Sequence, residues 1–205
     1  IARADLAPHL VARELIALSG GESGIKPVIG MFLGGAGLAD IMLYCRERVY
    51  PLGLPNGVSH FITAIAVLLR QVFGLRASFL PPEPRPLSVN VRQEGAITGR
   101  FAFLFVTTLE KLLLSNKVGN GGNGQLKFVA VEQRPVSMLR AFGASLAGKL
   151  GRTKLDGVHV EEADEISIEG EESQVMLDGE TFRAGLGKPI FLRPAQPLSF
   201  VRIAA

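Results

Sequence analysis

The spacing of apolar residues changes near Ala77, and this change constrains the fold more than any other feature of the 205-residue chain. After it, short segments of alternating apolar and polar residues are separated by turn signals, a pattern typical of antiparallel sheets. The predicted strands cover residues 87–91, 100–106, 125–132, 157–160, 165–169, 174–177, 189–192 and 198–203. The sequence therefore predicts a mainly β, α+β domain built as an antiparallel β-sandwich.

About four helices are predicted to decorate this sandwich, three of them in the first half. Apolar residues recur at near-helical spacing in each. The predicted helices are Ala2–Leu18, Leu38–Tyr50, Val58–Phe73 and a segment of about fifteen residues that begins at Pro135 and ends near Gly151. Between the first two, Pro27–Leu33 is predicted to be a strand.

Composition favours one domain with a sizeable core, since 47% of the residues are hydrophobic and 20% are charged. The single cysteine, Cys45, excludes an internal disulfide framework and a cysteine-clustered metal site. A reducing, cytoplasmic setting is the simplest interpretation. The longest apolar segment, His60–Leu75, is interrupted by Arg70 and is too short to span a bilayer.

Charge is distributed unevenly along the chain. Residues 1–155 carry 18 basic and 9 acidic side chains, whereas residues 156–205 carry 4 and 10. The basic residues are scattered with few aromatic residues among them, so the pattern does not indicate nucleic-acid binding. Charge alone favours an ordinary solvated surface over contact with an anionic membrane, and both interpretations remain open.

A strand, a glycine turn and a helix follow one another at Val28–Gly37, as at the start of a dinucleotide-binding fold. Such a fold continues into a second parallel strand with an acidic residue at its end. Residues 51–60 are rich in proline and glycine and do not fit that strand. The glycines are better explained by close packing of the helix on the strand.

Two carboxylates, Asp178 and Glu180, follow an apolar strand and flank Gly179. Asp-Gly between two strands is the usual signature of a tight hairpin turn, and the spacing alone favours that interpretation. The alternative is that the turn aims acidic groups into a cleft.

The order of these elements resembles the C-terminal domain of the diacylglycerol kinase and sphingosine kinase superfamily, which includes bacterial lipid kinases. The resemblance covers residues 28–205, and only Leu177–Glu180 within it is a specific motif. The other matching parts are, in order, the glycine turn at 32–40, paired strands at 87–106, a glycine-rich stretch at 121–131, Gly157-Val158-His159 and a closing strand at 189–201.

The resemblance implies that residues 1–205 form the C-terminal lipid-binding domain of an ATP-dependent lipid kinase. A separate N-terminal domain would hold the nucleotide on a Gly-Gly-Asp-Gly-Thr-type loop, which this sequence lacks. Because the first residue is Ile1, the chain is interpreted as a fragment. ATP and Mg²⁺ are expected for the full-length enzyme, whereas the isolated chain is expected to bind neither and to be inactive. The expected location is the cytoplasm, with or without peripheral membrane contact, and a homodimer stays open.

The resemblance also implies roles for individual residues. Glu180 would act as the base or orient the proton of the lipid hydroxyl, and Asp178 would support it or order metal-bound water. The apolar stripe of the helix Val58–Phe73 would line the lipid site, although it is equally explained as plain core. Its candidate substrate-binding residues are Phe61, Ile65, Leu68 and Leu69.

One departure from the family pattern supports a second hypothesis. Many bacterial members carry an acidic residue before the strand that starts near Leu126, where a structural Mg²⁺ is expected, but this chain has Asn123-Gly124-Gln125. We therefore predict no metal there. The alternative function is a degenerate, non-catalytic module that binds a lipid or a protein. His60 and His159 have no partner at ligand spacing, and Cys45 is predicted to pack in the core.

Overall fold

The described strands form two facing six-stranded antiparallel sheets, which confirms the predicted sandwich. The structure is a computed structural model that describes residues 9–21, 26–54, 66, 70, 85–91, 95–109, 111–112, 116–117, 124–171 and 173–201. In chain order the strands are β1 (Leu10–Gly20), β2 (Val28–Gly30), β3 (Phe32–Gly35), β4 (Leu87–Val91), β5 (Gly95–Gly99), β6 (Phe101–Thr107), β7 (Lys111–Leu112), β8 (Asn116–Lys117), β9 (Leu126–Glu132), β10 (Val158–Ala163), β11 (Ile166–Gly170), β12 (Ser173–Leu177), β13 (Glu180–Ala184) and β14 (Ile190–Val201).

The first sheet has the order β2-β1-β14-β11-β4-β5, and the second has the order β10-β9-β6-β3-β12-β13. Strands β7 and β8 pair separately. The paired strands of both sheets run antiparallel, including β3, whose neighbours are β6 and β12. Since a dinucleotide-binding fold requires parallel strands after its glycine turn, this pairing agrees with the rejection of that fold.

The main core lies between the sheets and is supplied by every second residue of the strands. Leu87, Val89 and Val91 of β4 face it, with Ile166 and Ile168 of the neighbouring strand β11. This alternation is what a strand with one buried face produces.

Strand β9 is buried on both faces. Leu126 and Phe128 enter the main core, whereas Val129 and Val131 enter a second apolar cluster on the outer face of the sheet. The helix α2 (Pro135–Leu146) covers that outer face. A strand with two buried faces reads as a nearly continuous apolar run, as β9 does.

Two α-helices have defined bounds among the described residues, whereas about four helices were predicted. Helix α1 (Gly37–Tyr44) continues into a π-helical turn at Cys45–Val49 and a 3₁₀ turn at Tyr50–Leu52, which confirms the helix predicted there. Helix α2 begins with Pro135 in its first turn, as predicted, but is shorter than expected. Of the predicted helix Val58–Phe73, only positions 66 and 70 lie within the described residues, and both are helical.

The helix predicted at Ala2–Leu18 is wrong, because the described part of it is strand β1. This strand pairs with β14 along its length and also with β2, and it buries Ile16 and Leu18 in the main core. Its leucines happen to recur at helical spacing, but strand pairing and burial of the alternating face outweigh that pattern.

Several strands also differ from the predictions. The single strand predicted at Pro27–Leu33 is two strands in different sheets, with the chain crossing between them at Met31. The two strands predicted at the end of the chain are one, β14, and strands β5, β7, β8 and β13 were missed. The crossing at Met31 and the hairpin that begins β13 lie side by side, and together they form the candidate site.

Candidate functional site

The Asp178-Gly179 pair forms a two-residue hairpin turn between β12 and β13. Leu177 pairs with Glu180 across the turn, and the φ angles of Asp178 and Gly179 are 45° and 97°. Positive φ at both central residues defines the tight turns that suit the twist of a hairpin, and Asp-Gly is a favoured sequence for them. The hairpin interpretation of this motif therefore holds, and the remaining question is what its two carboxylates contact.

Both oxygens of the Asp178 carboxylate accept hydrogen bonds from the crossing between the two sheets. The backbone N–H of Met31 donates to Oδ2 at 2.8 Å, and that of Phe32 donates to Oδ1 at 2.9 Å. In return, the backbone N–H of Asp178 donates to the carbonyl oxygen of Phe32 at 3.0 Å. Asp178 thus supplies hydrogen bonds in place of strand pairing at the point where the chain crosses from one sheet to the other.

The same crossing is closed from the other side by Thr107. Its hydroxyl donates to the carbonyl oxygen of Met31 at 3.1 Å, so both backbone polar groups of Met31 are satisfied by side chains. Gly30 lets the hairpin approach, since a Cβ there would lie 2.6 Å from Leu177 Cγ and 2.8 Å from Asp178 Oδ2. Packing at this crossing requires glycine at position 30 and fixes the hairpin to the body of the sandwich.

Glu180 is the exposed carboxylate of the pair. Along β13, Phe182 and Ala184 pack against the main core, and alternation places Glu180 on the same side at the rim of the sandwich. Within the described ranges, no hydrogen bond or ion pair of its carboxylate is found. The two acids of the turn therefore have different surroundings. Asp178 accepts hydrogen bonds from backbone N–H groups, whereas Glu180 extends from the anchored hairpin into solvent.

Asp40 is a further carboxylate, which sequence reasoning did not select as a site residue. It lies half-buried in the first turn of α1, directly after the glycine turn. Burial raises the pKa of its carboxyl group, and the nearby charge of Arg85 partly opposes this shift. The signal in the sequence was an acidic residue at a helix N-terminus, which ordinarily indicates only favourable interaction with the helix dipole.

The predicted substrate-binding residues remain predictions. Phe61, Ile65, Leu68 and Leu69 lie outside the described residues, as does His60.

The other two candidates, Cys45 and His159, lie within the described residues. Cys45 is buried in the core. His159 stacks edge-on against the Phe101 ring at 6.1 Å, and its Nε2 lies 3.6 Å from the Glu132 carboxylate, which is too long for a hydrogen bond. These surroundings fit a structural histidine.

The segment before β9 carries no acidic ligand of its own. The backbone N–H of Gln125 donates to the Asp164 carboxylate at 3.2 Å, and Gly124 lies against the backbone of Ala163. Across the described part of the chain, no three His, Cys, Asp or Glu side chains converge on one point. Because Mg²⁺ requires several oxygen ligands, the lack of a metal at this segment stays a prediction.

Together, the sandwich and its acid-bearing hairpin define a β-rich domain with one anchored and one exposed carboxylate at its rim. No protein-family model matches the sequence, and no curated protein matches it. Among solved structures, the chain is similar to a diacylglycerol kinase from Bacillus anthracis, with a TM-score of 0.53 and 14% identity over 96% of this chain. A second structure from that organism, assigned only provisionally as a diacylglycerol kinase, gives a TM-score of 0.52 with 16% identity over 93% of this chain.

The similarity confirms, at the level of the fold, the resemblance to the C-terminal part of diacylglycerol kinases. This chain spans 56% of the length of each of these two structures. Among the helices that the structure describes, none has the length and apolarity needed to cross a membrane.

Proposed function

We propose that this chain is the lipid-binding part of a cytoplasmic, ATP-dependent lipid kinase that transfers the γ-phosphate of ATP to a lipid hydroxyl. Diacylglycerol-like and sphingoid lipids are the acceptor classes. The observation that carries the proposal is the exposed Glu180 carboxylate, held on an anchored hairpin in the fold of a diacylglycerol kinase C-terminal part. Because a kinase-type fold alone does not assign a reaction, the proposal depends on the Glu180 carboxylate.

Phosphoryl transfer requires mainly positioning and charge neutralisation, together with a group that receives or orients the proton of the attacking hydroxyl. Glu180 is suited to that part, because an exposed carboxylate can accept a hydrogen bond from a bound hydroxyl. The lipid oxygen would form the new bond to the γ-phosphorus, the bond to ADP would break, and the hydroxyl proton would pass to Glu180. Asp178 would support this step by fixing the hairpin through Met31 and Phe32.

ATP and its Mg²⁺ would be held by an N-terminal nucleotide-binding domain. Strands β1 and β14 support the presence of a partner domain, because among the described strands their outer halves extend beyond the rest of the sheet as a two-stranded ribbon. Large apolar side chains are exposed along that ribbon, namely Leu10, Leu198, Phe200 and Val201. Alternation places Leu198 and Phe200 on one face of the ribbon and the paired residues Leu10 and Val201 on the other. Exposed apolar residues on both faces are expected where another domain covers a ribbon.

The lipid chain would lie against the helix predicted at Val58–Phe73, through Phe61, Ile65, Leu68 and Leu69. This assignment is carried over from the apolar stripe in the sequence, and it would be tested by the acceptor preference of Leu68→Ala.

A non-catalytic lipid- or protein-binding module is the second candidate, favoured by the lack of a convergent acidic cluster among the described residues. The experiment that separates the two is a radiolabelled-ATP screen of extracted lipids with the longest natural form of the protein. A labelled lipid that appears with the wild type and vanishes with Glu180→Gln supports the kinase and names its acceptor. No labelled lipid, with the protein folded and ATP bound, supports the binding module.

A further inference from the structure

Helix α2 presents an apolar face to solvent. Val136, Leu139 and Phe142 are 56%, 63% and 64% exposed. Residues three apart lie on the same side of a helix, so these three side chains form one surface. Ordinary surface helices turn charged or polar residues outward, which makes this arrangement unusual for a face exposed to water.

The opposite side of α2 already has a partner within the fold. Ser137 is 1% exposed, and Met138 and Ala141 pack on the second apolar cluster over β9 and β10. The outward apolar residues are therefore additional to those that hold the helix to the sandwich. Their exposure is not needed for docking α2 within the domain.

Basic residues accompany this apolar face along the sequence. The sequence from position 133 to position 155 contains no acidic residue, while its basic residues are Arg134, Arg140, Lys149, Arg152 and Lys154. All five are exposed. Arg134 and Arg140 also contact Glu132 and Asp156 at 3.1 and 3.6 Å, but such exposed ion pairs hold their cations only weakly.

We propose that α2 and the turn after it dock on an anionic lipid surface. A helix with Phe and Leu on one side and Lys and Arg around it is suited to lie in the interface plane of a bilayer. The apolar side chains would enter the headgroup region, while the long basic side chains reach the lipid phosphates.

A second copy of the chain fits this face less well. Pairing the same face of two molecules would place the basic rims of both copies against each other, and like charges in contact disfavour association. An anionic membrane is complementary to both features at once, since it offers an apolar interior behind a layer of negative charge.

This surface is separate from the hairpin site. Helix α2 covers β9 and β10 at one edge of the second sheet, whereas the hairpin joins β12 to β13 at the other edge. Four strand spacings of about 4.8 Å separate β9 from β13, which amounts to roughly 20 Å. The proposal rests on the exposure and charge of α2 and not on phosphoryl transfer, so each can fail without the other.

The test uses the absence of tryptophan from this chain. Leu139→Trp places a single indole on the apolar face, and Leu186→Trp, on an exposed turn residue, is the matched control. We expect the emission of Leu139→Trp to shift to shorter wavelength with phosphatidylglycerol vesicles and not with pure phosphatidylcholine vesicles. The control should shift with neither. A shift of equal size in both variants, or in neither, would overturn the proposal.

Vesicle sedimentation supplies the second measurement. Lys149→Gln with Arg152→Gln should weaken binding to phosphatidylglycerol vesicles by about 25-fold, since each cation near an anionic surface contributes about fivefold. Lys188→Gln, the control for charge, should change it by no more than about twofold. Leu139→Ser with Phe142→Ser should weaken binding by at least about tenfold, and these exposed substitutions leave the fold in place.

Sedimentation equilibrium of the same apolar variant distinguishes the other occupants. A wild-type dimer that dissociates in Leu139→Ser with Phe142→Ser would assign the face to a second copy and refute membrane docking. Unchanged vesicle binding in both double variants would refute it as well. Glu180→Gln should bind vesicles as the wild type does, because its carboxylate lies at the other edge of the sheet.

Discussion

Asp178 is predicted to contribute to stability, whereas Glu180 is not, although both belong to the same four-residue motif. Replacing Asp178 by alanine removes two acceptors for the N–H groups of Met31 and Phe32. Hydrogen bonds to charged groups contribute about 1.5–3 kcal/mol each when shielded. Because this site is exposed and water can replace the carboxylate, we take about 1 kcal/mol for each.

The backbone adds a further contribution. Asp178 has a φ of 45°, in the left-handed region, where alanine costs about 1 kcal/mol and aspartate or asparagine is better tolerated. Asp178→Ala should therefore lower the free energy of unfolding by about 3 kcal/mol in total. Asp178→Asn keeps one acceptor and the tolerated backbone, and it should cost only about 1 kcal/mol.

Urea unfolding of the chain, followed by circular dichroism, measures these differences. The matched control is Glu180→Gln, which should stay within about 0.5 kcal/mol of the wild type because its side chain is exposed. An Asp178→Ala variant that unfolds at the same urea concentration as the wild type would show that these hydrogen bonds do not stabilise the fold. Equal midpoints for alanine and asparagine at position 178 would contradict the assigned contributions as well.

Two further variants test the packing at Gly30 and the burial of Asp40. Gly30→Ala should lower the free energy of unfolding by about 2 kcal/mol, because its Cβ would overlap Leu177 and Asp178, and a wild-type urea midpoint would contradict that packing. Burial raises the pKa of the Asp40 carboxyl despite the nearby Arg85. The stability linked to protonating this group is present below its ordinary pKa and is lost as pH rises through the raised value. Asp40→Asn should therefore melt higher relative to wild type at pH 7 than at pH 4, whereas an equal difference at both pH values would count against the shift.

Much of the sandwich was predictable because its strands are short and one-sided. Segments such as Leu87–Val91 bury every second residue, so the pattern in the sequence is the pattern in the structure. Strand β1 was mistaken for a helix because half of it belongs to an exposed ribbon. Residues such as Leu10 are exposed there, and the apolar spacing therefore did not reflect the buried face.

The residues of the site could be predicted from the sequence, but the different contacts of Asp178 and Glu180 could not. Leu177–Glu180 indicated both a hairpin and a pair of acids, and the hairpin is confirmed. No local pattern could show that Asp178 binds Met31, because the two residues are 147 positions apart in sequence. For the same reason, the crossing between sheets at Met31 appeared as one continuous strand in the sequence.

The proposed role of Glu180 is tested by the kcat of Glu180→Gln on the purified lipid acceptor, measured in the longest natural form of the protein. Glu171→Gln, another exposed acid in a turn, is the matched control. We expect a loss of at least about 100-fold for Glu180→Gln, with unfolding unchanged, and wild-type turnover for the control. A kcat within about threefold of wild type for Glu180→Gln would contradict the central claim that this carboxylate handles the hydroxyl proton.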